Sequence, residues 1–280
     1  MLVNPDDFRS ATSFLLASEP IMRASSILSL AALLVAFSAA TASAASANAC
    51  SASSPDHRAA LVELYTSEGC NSCPPADNWL SELDHARKTN TIVPLALHVD
   101  YWDSWAWKDR FAQSAFTTRQ QQLTDTGGGH VVYTPEIFVG GRELRSWSND
   151  ASFESRIQQL NSETPLADIH IGGHPAAPGH VAFDAAFTAR KNLPDDAVAY
   201  AAVYENQLVS AVKGGENSGA TLHHDRVVRR WIGPVRIVDG RASISGDYTS
   251  ADGHEGVVAF VERGATGEVL QVAELSSCGG

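Results

Sequence analysis

The feature that most constrains this chain is a pair of cysteines, Cys70 and Cys73, between an apolar run and two prolines. The run, residues 61–65, has the length of one buried strand, and turn-forming residues separate it from the cysteines. Pro74 and Pro75 follow, and proline is favoured at the first position of a helix. The sequence therefore predicts two thiols at a helix N-terminus, where free N–H groups and the helix dipole favour thiolate.

The first 44 residues have the layout of a secretory signal peptide. Met22 and Arg23 precede an apolar segment at 27–37, which is followed by small residues typical of a cleavage site. This segment spans 11 residues, whereas a transmembrane helix needs about 20. We expect translation to start at Met22, the region 1–44 to be removed, and the product to be periplasmic or secreted without a stable membrane anchor.

Charge narrows the range of partners. The chain has 32 acidic and 20 basic residues, a net charge of −12. Nucleic-acid phosphates require a basic surface, so this balance argues against a nucleic-acid partner. The apolar content of 44% is ordinary for a globular protein and is sufficient for a core.

The remaining chain divides into two parts by its periodicity. After a linker at 45–58, residues 59–165 show strand and helix patterns in the order βαβαββα, which predicts an α/β domain with a central mixed sheet. Residues 166–275 consist of short alternating runs separated by turn residues, which predicts a smaller, mostly antiparallel β domain. Residues 276–280 form a tail.

The order of elements in 59–165, with Cys70 and Cys73 before the first helix and Thr134-Pro135 opening the third strand, resembles the thioredoxin fold. The resemblance implies that Thr134-Pro135 is a cis peptide lying against the dithiol, with Pro135 shaping the client site. Cis bonds are almost confined to X-Pro, so the proline is necessary but not sufficient. An ordinary edge-strand proline is the alternative.

The CxxC pair has several chemical interpretations. A structural zinc site needs a second pair of ligands at similarly close spacing, which the chain lacks. In thiol–disulfide exchange, Cys70 attacks as thiolate and Cys73 resolves the mixed disulfide. An inert disulfide in a loop is the alternative. Cys50 and Cys278 lie near the two ends of the mature chain and are candidates for a structural disulfide, because chain ends are often close together.

Glu63 is a carboxylate inside an otherwise apolar strand. Burial would raise its pKa and make it a candidate proton acceptor for Cys73. Thioredoxins carry a buried acid in the equivalent strand, although here the spacing to the cysteines is one residue longer. A solvated Glu63 at the sheet surface is the alternative.

A second group of candidates follows the next predicted strand. His98 and Asp100 flank Val99 and point to the same face, and Tyr101 and Trp102 come next. With Thr134, Trp105 and Trp107, these side chains are candidates to wall a substrate groove beside the dithiol, since aromatic walls bind peptides well. Packing of the tryptophans between the loop and a helix is the alternative. The glycine-rich stretch 213–221 lacks phosphate-loop spacing and predicts an exposed turn.

Four segments together resemble a catalogued family: ELYTSEGCNSCPPAD, ALHVDYWDSWAWKDRF, YTPEIFVGG and GENSGATLHHDRVVR. They are similar to the secreted thioredoxin-like family known as domain of unknown function 1223, over nearly the whole mature chain. The resemblance implies the fold and export, but the reaction of that family is itself uncharacterised. The chain lacks the Trp before the first Cys and the Gly-Pro between the cysteines that typify thioredoxins.

The leading functional hypothesis is an exported thiol–disulfide oxidoreductase without a cofactor. Its partners would be periplasmic protein thiols or disulfides and a redox partner. One alternative is a copper-delivery protein in which His98 or His130 joins the two cysteines, since soft thiolates suit Cu(I). Another is a non-catalytic binding module with a structural disulfide.

Overall fold

The computed structural model describes residues 50–86, 91–250 and 253–278. The predicted signal peptide, residues 1–44, and the proposed start at Met22 lie outside these ranges. The described residues contain three helices, α1 (Pro74–Ala86), α2 (Ser114–Thr126) and α3 (Asp150–Asn161). Their strands, in chain order, are β1 (Cys50–Ser53), β2 (Ala60–Thr66), β3 (Ile92–His98), β4 (Glu136–Val139), β5 (Arg142–Glu143), β6 (Ala167–Ala177), β7 (His180–Ala189), β8 (Ala197–Glu205), β9 (Leu208–Ala211), β10 (Thr221–His224), β11 (Val227–Arg236), β12 (Arg241–Thr249), β13 (Glu255–Arg263) and β14 (Val269–Leu275).

The largest sheet has eight strands in the order β14-β13-β8-β11-β3-β2-β4-β5. Only the pairs β2–β3 and β3–β11 are parallel among these neighbours. The sheet combines strands from both predicted domains, because Val227 of β11 pairs with Ala96 of β3. The predicted fold class, a thioredoxin-like α/β domain of order βαβαββα followed by a smaller β domain, is therefore wrong. The described chain is mostly β, with 44% strand and 16% helix.

A second sheet of four antiparallel strands, β1-β6-β7-β12, packs on one end of the large sheet. Large side chains of the smaller sheet, such as Phe183 and Phe187, fill the core against small residues of β8, such as Ala199 and Ala201. Strand β1 lies within the predicted linker 45–58. Cys50 of β1 forms a disulfide with Cys278, and their Cα atoms are 5.6 Å apart.

Helices cover both faces of the large sheet around β2. Leu61 and Tyr65 pack with α2 on one face, whereas Val62 and Leu64 pack with α1 and α3 on the other. Alternation along a strand places its odd and even residues on opposite faces. Because β2 and β3 are parallel neighbours, their carboxyl ends lie side by side. The dithiol follows the carboxyl end of β2.

None of the helices in the described ranges is both long enough and apolar enough to cross a membrane.

Candidate functional site

The centre of the site is the turn between β2 and α1. Cys70 and Cys73 form a disulfide, with their Cα atoms 5.5 Å apart. The backbone amides of Ala76 and Asp77 donate to the carbonyl of Cys73 at 2.8 and 3.1 Å. Cys73 therefore occupies the N-cap position, directly before α1, and Cys70 lies in the preceding turn. Both cysteines are buried, with 0% of their surface exposed.

The peptide between Thr134 and Pro135 is cis and lies beside the disulfide. The carbonyl oxygen of Thr134 is 3.8 Å from Cys70 Sγ. Ser72 Oγ donates to the same carbonyl at 3.4 Å and lies 3.3 Å from Cys70 Sγ. The residues between β2 and α1 are thus held against the segment that enters β4.

The aromatic residues after β3 occupy two different positions. Trp102 donates from Nε1 to Thr134 Oγ1 at 2.8 Å, and a Cβ placed on Gly69 would meet Trp102 Cβ at 3.1 Å. Trp102 and Thr134 are therefore brought to the dithiol, as a substrate groove would require. Tyr101, 41% exposed, donates to Gln120 Oε1, and Asp100 accepts from Thr117 Oγ1 of α2. Asp100 thus points to α2 rather than to the disulfide.

His98 is fully buried and its partner is Asp109, with Nδ1 and Oδ2 2.7 Å apart. Burial lowers the pKa of His98, but the Asp109 carboxylate and its hydrogen bond outweigh burial and hold that pKa above its usual value. Burial raises the pKa of Asp109, but His98 and hydrogen bonds outweigh burial and hold it low. Both shifts favour the imidazolium and carboxylate forms of the pair. Asp109 also accepts from the amide of Glu68 at 2.9 Å, which fixes the dithiol turn.

A buried polar cluster continues from this pair beneath the turn. Glu68 accepts from Trp107 Nε1 at 3.1 Å, and its other oxygen lies 3.5 Å from His224 Nε2. Asp77 of α1 joins this cluster, and burial raises its pKa. No group of three or more His, Cys, Asp or Glu side chains in the described ranges is arranged to hold a metal ion. Of the two histidines considered for a copper site, His130 is exposed and His98 is buried and paired with Asp109.

Glu63 lies on the face of the large sheet that packs against α2, whereas Cys73 directly precedes α1, which covers the other face. Its carboxylate binds Arg119, with Nε and Oε1 2.6 Å apart. Arg119 also binds Glu262 at 2.8 Å, so Glu63 belongs to a buried ion cluster. The structure does not bring Glu63 to Cys73, and the predicted proton-acceptor role does not fit its position. The reason is that side chains alternate along β2. Val62 and Leu64 face α1, so Glu63 between them faces the opposite side.

Glu136 follows Pro135 directly and is a buried acid that the sequence analysis missed. Its carboxylate accepts from Gln120 Nε2 at 2.5 Å, and 1% of its surface is exposed. Burial raises its pKa from 4.5 to about 7. Ionisation of a buried carboxyl group destabilises the folded protein, since the charged form is poorly solvated.

Glu136 is expected to make stability fall as pH rises. Between its unfolded pKa of 4.5 and its folded pKa of about 7, the folded state holds more protons than the unfolded state, so the free energy of unfolding decreases across this window. The decrease is at most about 3 kcal/mol. Urea unfolding at pH 4.5 and 7.5 should show this decrease in the free energy of unfolding in the wild type and not in Glu136→Gln. Identical pH slopes in the two proteins would contradict it.

Two further residues reach the site from the loop between β9 and β10. Asn217 Nδ2 donates to the carbonyls of Glu68 and Cys70, both at 2.9 Å. Glu216 Oε2 accepts from the amide of Asn71 at 3.1 Å. The stretch 213–221 was predicted only as an exposed turn, and its sequence offers no signal beyond polar residues among glycines.

Comparisons with known proteins give a family and a fold. A family model described as a protein of unknown function, DUF1223, matches residues 61–262. A structural-genomics crystal structure of a protein from Agrobacterium tumefaciens is similar with a TM-score of 0.56 and 21% identity, over 79% of this chain and 96% of that one. HBP35 of Porphyromonas gingivalis is similar with a TM-score of 0.61 and 14% identity, over 80% of this chain and 76% of that one. At these identities, both likenesses concern the fold alone. No curated protein sequence matches significantly.

Proposed function

The chain belongs to the DUF1223 family, whose function is unknown, and from its site we propose that it is an exported thiol–disulfide oxidoreductase acting through Cys70 and Cys73. The observation that carries this proposal is a disulfide with two intervening residues at the N-terminus of α1, beside the Thr134 carbonyl. A disulfide that closes so short a loop constrains the unfolded chain little. Stabilisation is therefore a weak reason for its presence, and reactivity is a stronger one.

The reaction follows the ordinary course of thiol–disulfide exchange. In the reduced protein, the Cys70 thiolate attacks one sulfur of a client disulfide, forms a mixed disulfide and releases the other client sulfur as thiolate. The Cys73 thiolate then attacks Cys70 Sγ, which releases the second client sulfur and forms the Cys70–Cys73 disulfide. Two electrons pass to the client, and the thiol protons end on its sulfurs. The reverse sequence oxidises a client dithiol.

The surrounding residues have supporting roles in this proposal. Helix α1 presents its free amides and its dipole to the thiolate that forms at its N-terminus. Thr134 and Pro135 form the backbone surface that a client chain would contact beside Cys70. Trp102 positions this surface through its hydrogen bond to Thr134 Oγ1.

Export and the class of partner belong to the same proposal. The described ranges contain two disulfides, which persist in oxidising compartments such as the periplasm. The partners would be protein thiols or disulfides there, together with a redox partner that restores the starting state.

The experiment that tests the proposal is equilibration of the folded protein with a glutathione buffer. The Cys70–Cys73 disulfide is expected to exchange with the buffer, whereas the Cys50–Cys278 disulfide is expected to remain oxidised. The second disulfide thus serves as an internal control. A Cys70–Cys73 disulfide that does not exchange would contradict the proposal.

A further inference from the structure

The hydroxyl of Ser72 lies within hydrogen-bond reach of the sulfur that reacts in the proposed function. Ser72 Oγ is 3.3 Å from Cys70 Sγ and 3.4 Å from the carbonyl oxygen of Thr134. The sulfur and the carbonyl oxygen are themselves 3.8 Å apart, so the three atoms form a compact triangle. Rotation about the C–O bond of Ser72 turns the hydroxyl proton from one acceptor to the other, and no heavy atom has to move.

The redox state of the dithiol decides which acceptor the hydroxyl uses. In the disulfide, Cys70 Sγ is uncharged and a weak acceptor, so the hydroxyl donates to the carbonyl of Thr134. In the reduced protein, the proposed reaction requires a thiolate at Cys70. A charged acceptor makes the stronger hydrogen bond, so the hydroxyl proton is expected to turn to the sulfur.

A side-chain donor matters at this position because other sources of solvation are few. None of the surface of Cys70 is exposed, so bulk water does not solvate the thiolate, and burial without donors raises the pKa of a thiol. Pro74 and Pro75 begin α1 and have no N–H, so the first turn offers fewer amide donors than usual. The Ser72 hydroxyl adds a donor in direct reach of the sulfur.

We propose that Ser72 is a catalytic residue whose hydroxyl donates to the Cys70 thiolate and thereby stabilises the reduced dithiol. The inference rests on the proposed function, because that thiolate is its nucleophile. When the thiolate attacks a client disulfide, its negative charge leaves on the released client sulfur. The hydroxyl keeps its proton throughout and turns back to the Thr134 carbonyl. Because the hydroxyl stabilises the reduced form, it makes the Cys70–Cys73 disulfide a stronger oxidant of clients.

Titratable groups on the surrounding elements also contribute to the pKa of the Cys70 thiol. The acids are Glu68, Asp77, Asp109, Glu136 and Glu216. The imidazoles are those of His98 and His224. Substitution of Ser72 changes none of these groups. A comparison of Ser72 variants therefore isolates the contribution of the hydroxyl.

The first test is the pH profile of Cys70 alkylation by iodoacetamide in the reduced full-length protein, with the labelled residue assigned by peptide mass spectrometry. Ser72→Ala is expected to raise the pKa of the Cys70 thiol by about 1, since it removes a hydrogen bond to a charged group. Ser72→Thr keeps the hydroxyl and should stay close to wild type. Asn71→Ala is the matched control, because it truncates the other exposed side chain between the cysteines. A wild-type pKa in a folded Ser72→Ala protein would overturn the proposal.

The second test is the reduction potential of the Cys70–Cys73 disulfide in the wild type and in Ser72→Ala. At a pH well above the two measured thiol pKa values, reduction of the variant is expected to be about tenfold less favourable, a potential about 30 mV more negative. Well below those pKa values the thiolate is absent, so the difference should vanish. An equal difference at both pH values would assign Ser72 a structural role and overturn the proposal. If the disulfide does not exchange with glutathione, the proposed function fails, and alkylation after reduction by a phosphine still tests the hydroxyl.

Discussion

A Cys70→Ser variant is expected to lose disulfide exchange, with the rate falling at least about a thousandfold, as when other enzymes lose their nucleophile. The reason is that a serine hydroxyl does not ionise at neutral pH and is a far weaker nucleophile toward sulfur than a thiolate. Serine is nearly the same size as cysteine, and the lost disulfide closes a short loop. We therefore expect the variant to remain folded. The measurement is the steady-state rate of reduction of a protein disulfide by excess dithiol.

The matched control for this experiment is the double variant Cys50→Ser, Cys278→Ser. Its disulfide joins residues 228 positions apart and restricts the unfolded chain strongly. We expect the double variant to keep the exchange rate and to lose about 2–5 kcal/mol of stability. Turnover that survives in Cys70→Ser, or turnover that disappears in the double variant while it stays folded, would show that the reactive sulfur was assigned to the wrong pair.

The second large effect is a loss of stability expected on substitution of Arg119, which has no role in the proposed reaction. This buried guanidinium binds Glu63 at 2.6 Å and Glu262 at 2.8 Å. Its Cζ is also within 4.9–5.4 Å of the ring centroids of Tyr200, Trp231 and Phe260. Arg119→Met would leave two carboxylates buried without their cation. Breaking a buried ion cluster in this way costs about 3–5 kcal/mol of folding free energy.

Arg145→Met is the matched control, because it removes the same group from an exposed position. Arg145 binds Glu143 at 2.9 Å, but 75% of its side chain is exposed. Solvent screens an exposed pair of this kind, so its loss is expected to leave the free energy of unfolding almost unchanged. Urea unfolding of both variants measures the difference. Similar losses in the two variants would contradict the view that Arg119 holds the two buried carboxylates together.

Sequence patterns located the individual elements better than their arrangement. The apolar run at 61–65 lies within β2, and the prolines after Cys73 are the first two residues of α1. These features depend on neighbours in sequence. The pairing of β11 with β3 depends on which strand edge is left open, and hydrophobic periodicity contains no information on that choice.

The same distinction applies to the site. Cys70 and Cys73 were recognised because their spacing and their place before a helix are local properties. Glu63 was assigned to the wrong surroundings, because the sequence shows that a strand residue is buried but not which helix covers its face. Asn217 and Glu216 were missed, since the loop that contains them is more than 140 residues away from the turn that it touches.

The measurement that tests the central claim most directly is the reduction potential of the Cys70–Cys73 disulfide in the folded, full-length protein. It is read by mass spectrometry of alkylated samples after equilibration in glutathione buffers. A redox-active pair should titrate above roughly −300 mV. A potential below that value would place it among structural disulfides, and the assignment of Cys70 as a nucleophile would then have to be withdrawn.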